Sequence, residues 1–244
     1  MFEDPFRHHP ALRGKIVPAD QSTYRNRDFS DLDERLKENG LPVSMRRSDE
    51  NREASRRETL AGREGQDMWV FAYGSLMWEP AFHFSEVRRA HLEGYHRRFC
   101  LRSEFGRGTP ECPGLMAGLD KGGTCDGLAF RIPAEIAEEE SHFVWRREML
   151  FFSYVPEFLP VGTEQGRVEA LSFVVNPGNP LLLPPMSLDE TARIIARAEG
   201  HLGPNIDYVE KLASAFELLS IEDAELFELR DKARAYKSAP SGQP

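Results

Sequence analysis

The chain has 244 residues, 40% hydrophobic and 29% charged, a balance expected of a soluble globular protein of one large domain or one domain plus an extension. Its net charge of −9 excludes a broad nucleic-acid footprint and a polybasic membrane anchor, both of which need net basic surface. No run of about 18 apolar residues is present to span a bilayer, and the acidic start Met1-Phe2-Glu3-Asp4-Pro5 is unlike a signal peptide. Cys100, Cys112 and Cys125 cannot all pair within one chain and lack CxxC spacing. Neither a disulfide framework nor a zinc site is indicated, so a cytoplasmic protein without a metal is expected.

The texture changes near residue 67. Residues 1–67 hold 14 acidic and 13 basic side chains and few large apolar ones, and form a charged, partly helical extension. Ser30 is the expected cap of a helix carrying Leu32 and Leu36 at i, i+4, with Gly40 as its stop. Ser48 is the expected cap of a second, very polar helix ending near Gly62. A helix with almost no apolar stripe is not self-supporting, so docking of the extension is favoured over disorder. Phe2, Phe6, Phe29, Leu32 and Leu36 are its candidate anchors, and the adjacent His8-His9 pair is expected in solvent.

From Met68 the chain reads as strands at 68–73, 87–94, 96–103, 115–119 and 127–132. Pro133 then opens a helix over 134–148. Strands resume at 155–161 and 167–175, and a loop with four prolines follows at 176–185. Three helices close the chain: 187–200, opened by the capping-box pattern Ser187-Leu188-Asp189-Glu190, then 205–219 and 222–236. Residues 238–244 are expected to lack structure. Strands first and helices after, without regular βαβ alternation, predict an α+β fold with a mixed or barrel-like sheet surrounded by helices. The domain so defined spans 68–237.

Phosphate loops, GxGxxG, HExxH and GxSxG are all missing. Three segments remain as candidates for chemistry. Phe71-Ala72-Tyr73-Gly74-Ser75-Leu76-Met77-Trp78 runs a buried strand into a Gly-Ser turn that can present backbone N–H groups to a carboxylate or oxyanion, or can be an ordinary corner. Residues 106–114 pack three glycines and two prolines into a well-defined loop that contains Cys112. Glu148 stands at a helix end just before an apolar run, where a carboxylate is either a poised proton acceptor or a solvated charge. Arg146 and Arg147 beside it can bind substrate or pair with the carboxylates at 138–140. The acidic run Glu135, Glu138, Glu139 and Glu140 reads mostly as a solvated face.

Taken together and in order, these pieces resemble one family. Trp69-Val70-Phe71-Ala72-Tyr73-Gly74-Ser75-Leu76-Met77-Trp78 is similar to the WVFGYGSLIW pattern of the ChaC-type γ-glutamylcyclotransferases. Gly94-Tyr95-His96-Arg97-Arg98-Phe99 resembles the family's GxxRRF strand, and Arg107–Gly114 its RGTPExPGR loop. Gly127-Leu128-Ala129-Phe130-Arg131 resembles its WGVAYR strand, Arg147-Glu148 the RE pair ending its helix, and Asn205-Ile206-Asp207-Tyr208 its NxxYL helix start. The resemblance covers about residues 68–236. It implies a γ-glutamylcyclotransferase-like compact mixed β-barrel with surrounding helices. It also implies a cofactor-free cleavage of glutathione, or a related γ-glutamyl compound, into 5-oxoproline and the released amine. By the same resemblance Tyr73, Gly74, Ser75 and Leu76 form the substrate-binding loop and Glu148 is the catalytic glutamate. Glu139 matches an additional acidic helix position, and Tyr208 a tyrosine near the pocket. The partner is a small molecule, with no nucleic acid and no membrane, and the oligomeric state is not legible.

Two departures bear on the choice of γ-glutamyl compound. Leu115 stands where the family loop has arginine, and Met149-Leu150-Phe151-Phe152-Ser153-Tyr154 replaces a Gly-Tyr pair after the RE. Two other readings stay open from the residues alone: a non-catalytic protein that binds γ-glutamyl metabolites, and a γ-glutamyl hydrolase using Cys112 as nucleophile.

Overall fold

The computed structural model describes residues 4–239, so Phe2 and most of the tail at 238–244 lie outside the described residues. The chain divides into two compact units. The first takes in the chain up to Ser30, Ser44–Arg98 and Gly118–Asn179; the second takes in Asp31–Val43, Phe99–Ala117 and the chain from Pro180.

The extension supplies three helices, α1 (Thr23–Asn26), α2 (Leu32–Glu38) and α3 (Asp49–Leu60). Ser22 caps α1, accepting from Tyr24 N, and Ser48 caps α3, accepting from Asn51 N. Asp31, and not Ser30, precedes α2 as its N-cap, while Ser30 donates to Asp28 in a local turn that competes with capping. Leu32 and Leu36 are fully buried.

The sheet is a closed barrel in the order β1-β3-β2-β4-β5, built from β1 (Met68–Ala72), β2 (Glu86–Ser103), β3 (Gly114–Ile132), β4 (Tyr154–Thr163) and β5 (Gly166–Val175). With the helices it makes the α+β fold expected. The short runs expected at 87–94 and 96–103 are one long strand, as are those at 115–119 and 127–132. Gly94 permits this in β2 by taking φ +83° inside the strand, a value closed to most residues, so a turn signal becomes a bend. β1 lies between β3, antiparallel with Phe71 opposite Ala129, and β5, parallel with Val70 opposite Leu171. Its near-continuous apolar run reflects burial on both faces. Gly127 allows β3 to come this close, since a Cβ there would stand 2.2 Å from Ala72 O.

The helix α4 (Ala134–Glu148) packs on the barrel through Trp145, whose ring meets Phe173 edge-on at 5.8 Å. Phe82 and Phe130 meet in the same way in the core. The parts of the extension that belong to this unit are tied to it at several points. Arg7, His8 and Arg88 converge on the buried Glu86 carboxylate, and His9 Nε2 accepts from Arg89 N. The histidine pair is therefore docked rather than solvated. Arg25 donates to both oxygens of Glu140 (2.7 and 3.1 Å), and Arg56 donates to Glu138 and Ser141.

In the second unit, α5 (Leu188–Arg197) begins with the predicted Ser187–Glu190 capping box. The minimal pair β6 (Glu199–Gly200) and β7 (Gly203–Pro204) precedes α6 (Ile206–Leu218) and α7 (Ala224–Ser238). Asn205 is wholly buried: its Oδ1 accepts from Leu115 N (2.7 Å) and its Nδ2 donates to Leu115 O (2.8 Å).

Candidate active site

β1 ends at Ala72 and delivers the Tyr73-Gly74-Ser75-Leu76 loop. Tyr73 is buried, donates from its hydroxyl to Phe173 O (2.6 Å) and accepts at its carbonyl from Arg97 Nη1 (3.1 Å). A 3₁₀ turn over Ser75–Met77 begins at once. The amides of Ser75 and Leu76 head that turn, so its own ladder gives them no acceptor. They are the N–H groups that an incoming carboxylate or oxyanion can use.

Glu148 is the last residue of α4, and its side chain is only 13% exposed. Among the described residues no donor hydrogen-bonds to it. Burial pushes its carboxyl above the ordinary carboxylate range, and the Arg147 charge offsets part of that rise. Such a group is a stronger base than a surface glutamate and is easily reprotonated.

Arg147 joins the two parts. Its Nη2 donates to Ser75 Oγ (2.8 Å), its Nη1 donates to the carbonyl of Glu79, and its Nε stands 3.5 Å from Glu148 Oε1. That Nε is the single buried side-chain polar atom without a hydrogen-bond partner among the described residues. The pairing of Arg146 and Arg147 with the 138–140 carboxylates is corrected: Arg146 donates to Arg27 O, and Arg147 turns to the loop.

The remaining candidates have other surroundings within their own units. Glu139 is exposed on α4; the buried carboxylate of that acidic run is its neighbour Glu140, held by Arg25 and by His83 Nδ1 at 2.8 Å. The reading of the run as a solvated face fails at that residue. Tyr208 belongs to the second unit, where it is buried and meets Phe99 edge-on at 6.0 Å. Cys112 is exposed there, with Sγ 3.7 Å from Arg197 O, an acceptor that cannot serve as its base. No three His, Cys, Asp or Glu side chains gather as metal ligands among the described residues.

Sequence reasoning missed how the extension meets the stretch after Glu148. Arg47 N donates to Leu150 O (2.9 Å), Arg47 Nε to Phe151 O (3.3 Å) and Arg47 Nη2 to Tyr154 O (3.3 Å), and its guanidinium lies over the Phe152 ring. The departure from the family pattern at 149–153 therefore sits under an arginine of the extension. The signal available in the sequence was the aromatic pair Phe151-Phe152 set against Arg46-Arg47, which has no fixed spacing to search for.

A closed five-stranded barrel with flanking helices is the architecture of the γ-glutamylcyclotransferases. It matches the crystal structure of a glutathione-specific γ-glutamylcyclotransferase from yeast with a TM-score of 0.65 at 23% identity, over 72% of this chain and 99% of that one. The ChaC-like protein family profile matches residues 68–236, and this chain belongs to that family. The glutathione-specific γ-glutamylcyclotransferase of Escherichia coli K12 is 39% identical over 191 residues, 78% of this chain and 83% of its own length. That of Danio rerio, numbered 1, is 34% identical over 179 residues, 70% of this chain and 90% of its own. No helix among the described residues is long and apolar enough to cross a membrane.

Proposed function

We propose that this protein is a γ-glutamylcyclotransferase that cleaves glutathione into 5-oxoproline and cysteinylglycine. The observation that carries the reading is the buried Glu148 carboxylate, without a hydrogen-bond donor among the described residues and tied through Arg147 to Ser75 of the Tyr73–Leu76 loop. The names of the relatives supply the substrate.

The γ-glutamyl group holds both reactants, an α-amine and a γ-carbonyl, so the protein has only to fold the chain until they meet. Glu148 takes a proton from the α-ammonium. The amine then adds to the γ-carbonyl carbon, and the amides heading the Ser75 turn stabilise either the oxyanion or the substrate's α-carboxylate. The C–N bond to cysteine breaks as Glu148 returns its proton to the leaving amine, and the ring nitrogen gives up its second proton, which the released amine takes up to leave as an ammonium. No water is consumed and no cofactor enters. Neither Glu139 nor Tyr208 is needed for a step.

The test is incubation of the purified protein with millimolar glutathione and mass spectrometry of the products. Equal amounts of 5-oxoproline and cysteinylglycine are expected. Glu148→Gln should keep binding and lose about 10²-fold or more in kcat. Free glutamate in place of 5-oxoproline would replace this reading with a hydrolase.

A further inference from the structure

The part of the extension around α1 lies outside the region matched by the family profile, yet it touches the residue that joins the loop to Glu148. The Tyr24 ring covers the Arg147 guanidinium, 4.6 Å from its carbon to the ring centroid. Next to it, Ser22 Oγ, Thr23 N and Thr23 Oγ1 all donate to Glu79 Oε1 (3.0, 2.9 and 2.9 Å). The backbone carbonyl of the same Glu79 accepts from Arg147. One more residue along, Arg25 is anchored on Glu140 and on Ala81 O. The guanidinium is thus enclosed by three elements: α4 presents Glu148, the loop after β1 presents Ser75 and Glu79, and α1 presents Tyr24.

We infer that Tyr24 is a positioning residue of the active site, its ring holding the Arg147 guanidinium in the one place where it reaches both Ser75 and Glu148. This rests on the assignment of Glu148 and the Tyr73–Leu76 loop made above. The Arg147 side chain is 2% exposed and, among the described residues, keeps one N–H without a hydrogen-bond partner, which is an expensive state for a cation. The aromatic face offsets this by attracting the charge and keeping water off it. Without the ring, the guanidinium gains by turning out to solvent. The loop then loses its tie, and Glu148 loses the opposite charge beside it.

The experiment is a double-mutant cycle on the full chain, read as 5-oxoproline formation from glutathione. Tyr24→Phe keeps the ring and should match wild type. Tyr24→Ala should lower kcat/KM about tenfold. Arg147→Met removes the cation while leaving the site buried, so the acid limb of its pH profile should move up. In that background Tyr24→Ala should have no further effect, because the ring acts only through the guanidinium. A purely structural role for Tyr24 predicts the same tenfold loss in both backgrounds, and that result overturns the inference. Wild-type activity with Tyr24→Ala unchanged overturns it too. If Arg147→Met does not fold, Ser75→Ala takes its place in the cycle, where full additivity is the refuting outcome. A wild-type chain that releases no 5-oxoproline removes the functional reading itself, and this inference with it.

Discussion

Replacing Arg25 by alanine tests whether the extension is part of the stability of the catalytic unit. Arg25 is 12% and Glu140 3% exposed at the side chain, so the pair is buried in all but one edge. Removing one partner of a buried pair costs about 3–5 kcal/mol, because the other charge stays behind in low dielectric. Here the loss is smaller, since His83 still offers its backbone N–H (3.0 Å) and its ring to Glu140. The guanidinium's packing over Phe143 at 3.5 Å is lost as well. The balance is about 3 kcal/mol, or a fall in Tm of about 6–12 °C for a chain of this length. The defect should depend on pH with a definite sign. Burial pushes the Glu140 carboxyl up, but the hydrogen bonds from Arg25 and His83 outweigh it, and the net position is below the ordinary value of 4.5. Its contribution is therefore present above about pH 4.5 and lost as pH falls through the lowered folded value. The Tm gap between wild type and Arg25→Ala should be widest near neutrality and narrow through the carboxylate range. Thermal unfolding followed by circular dichroism at several pH values reads both effects. A gap under about 1 °C at pH 7, or one that stays constant on acidification, would refute the reasoning.

Three further outcomes follow. Glu148 sits above the usual carboxylate range through burial, so kcat/KM should fall with acid along a limb lying at higher pH than an exposed glutamate would give; a limb at or below 4.5 counts against Glu148 as the base. Gly127→Ala forces a Cβ to within 2.2 Å of Ala72 O, and should cost about 1–3 kcal/mol in urea unfolding and lower activity, because Ala72 leads directly into Tyr73. Asn205→Ala leaves both polar groups of the buried Leu115 peptide unsatisfied and should cost about 2–3 kcal/mol, whereas a neutral substitution would mean that water replaces the amide.

What was legible in the sequence follows from the range of the interactions involved. β1, α4 and α5 announce themselves through local pattern: a run buried on both faces, a proline entry and a capping box. The strands β2 and β3 were read as fragments because glycines that mark turns elsewhere mark bends here. Glu148 and the Tyr73–Leu76 loop stood out through the ordered resemblance of several short motifs. Their connection through Arg147 did not, because the sequence gives no sign of which way an arginine at a helix end will turn. Glu140 was hidden for a related reason. In a row of four carboxylates nothing marks the one that will meet an arginine more than a hundred residues upstream. The docked histidines make the same point, since His8 and His9 find partners only once β2 has formed.

The route of the extension also sets an order of events. Its ties to the first unit join residues far apart in the chain: Arg25 to Glu140 across 115 positions, Arg27 to Arg146 across 119 and Arg47 to Phe151 across 104. None of these can form on the ribosome until β1, β2, β3 and α4 have been made, although the extension is synthesised before all of them. Closing such long loops is slow compared with forming helices or hairpins, so the barrel can assemble before its N-terminal segment finds its place. The extension then docks on a surface already built, and only at that stage are Arg147 and the stretch after Glu148 covered.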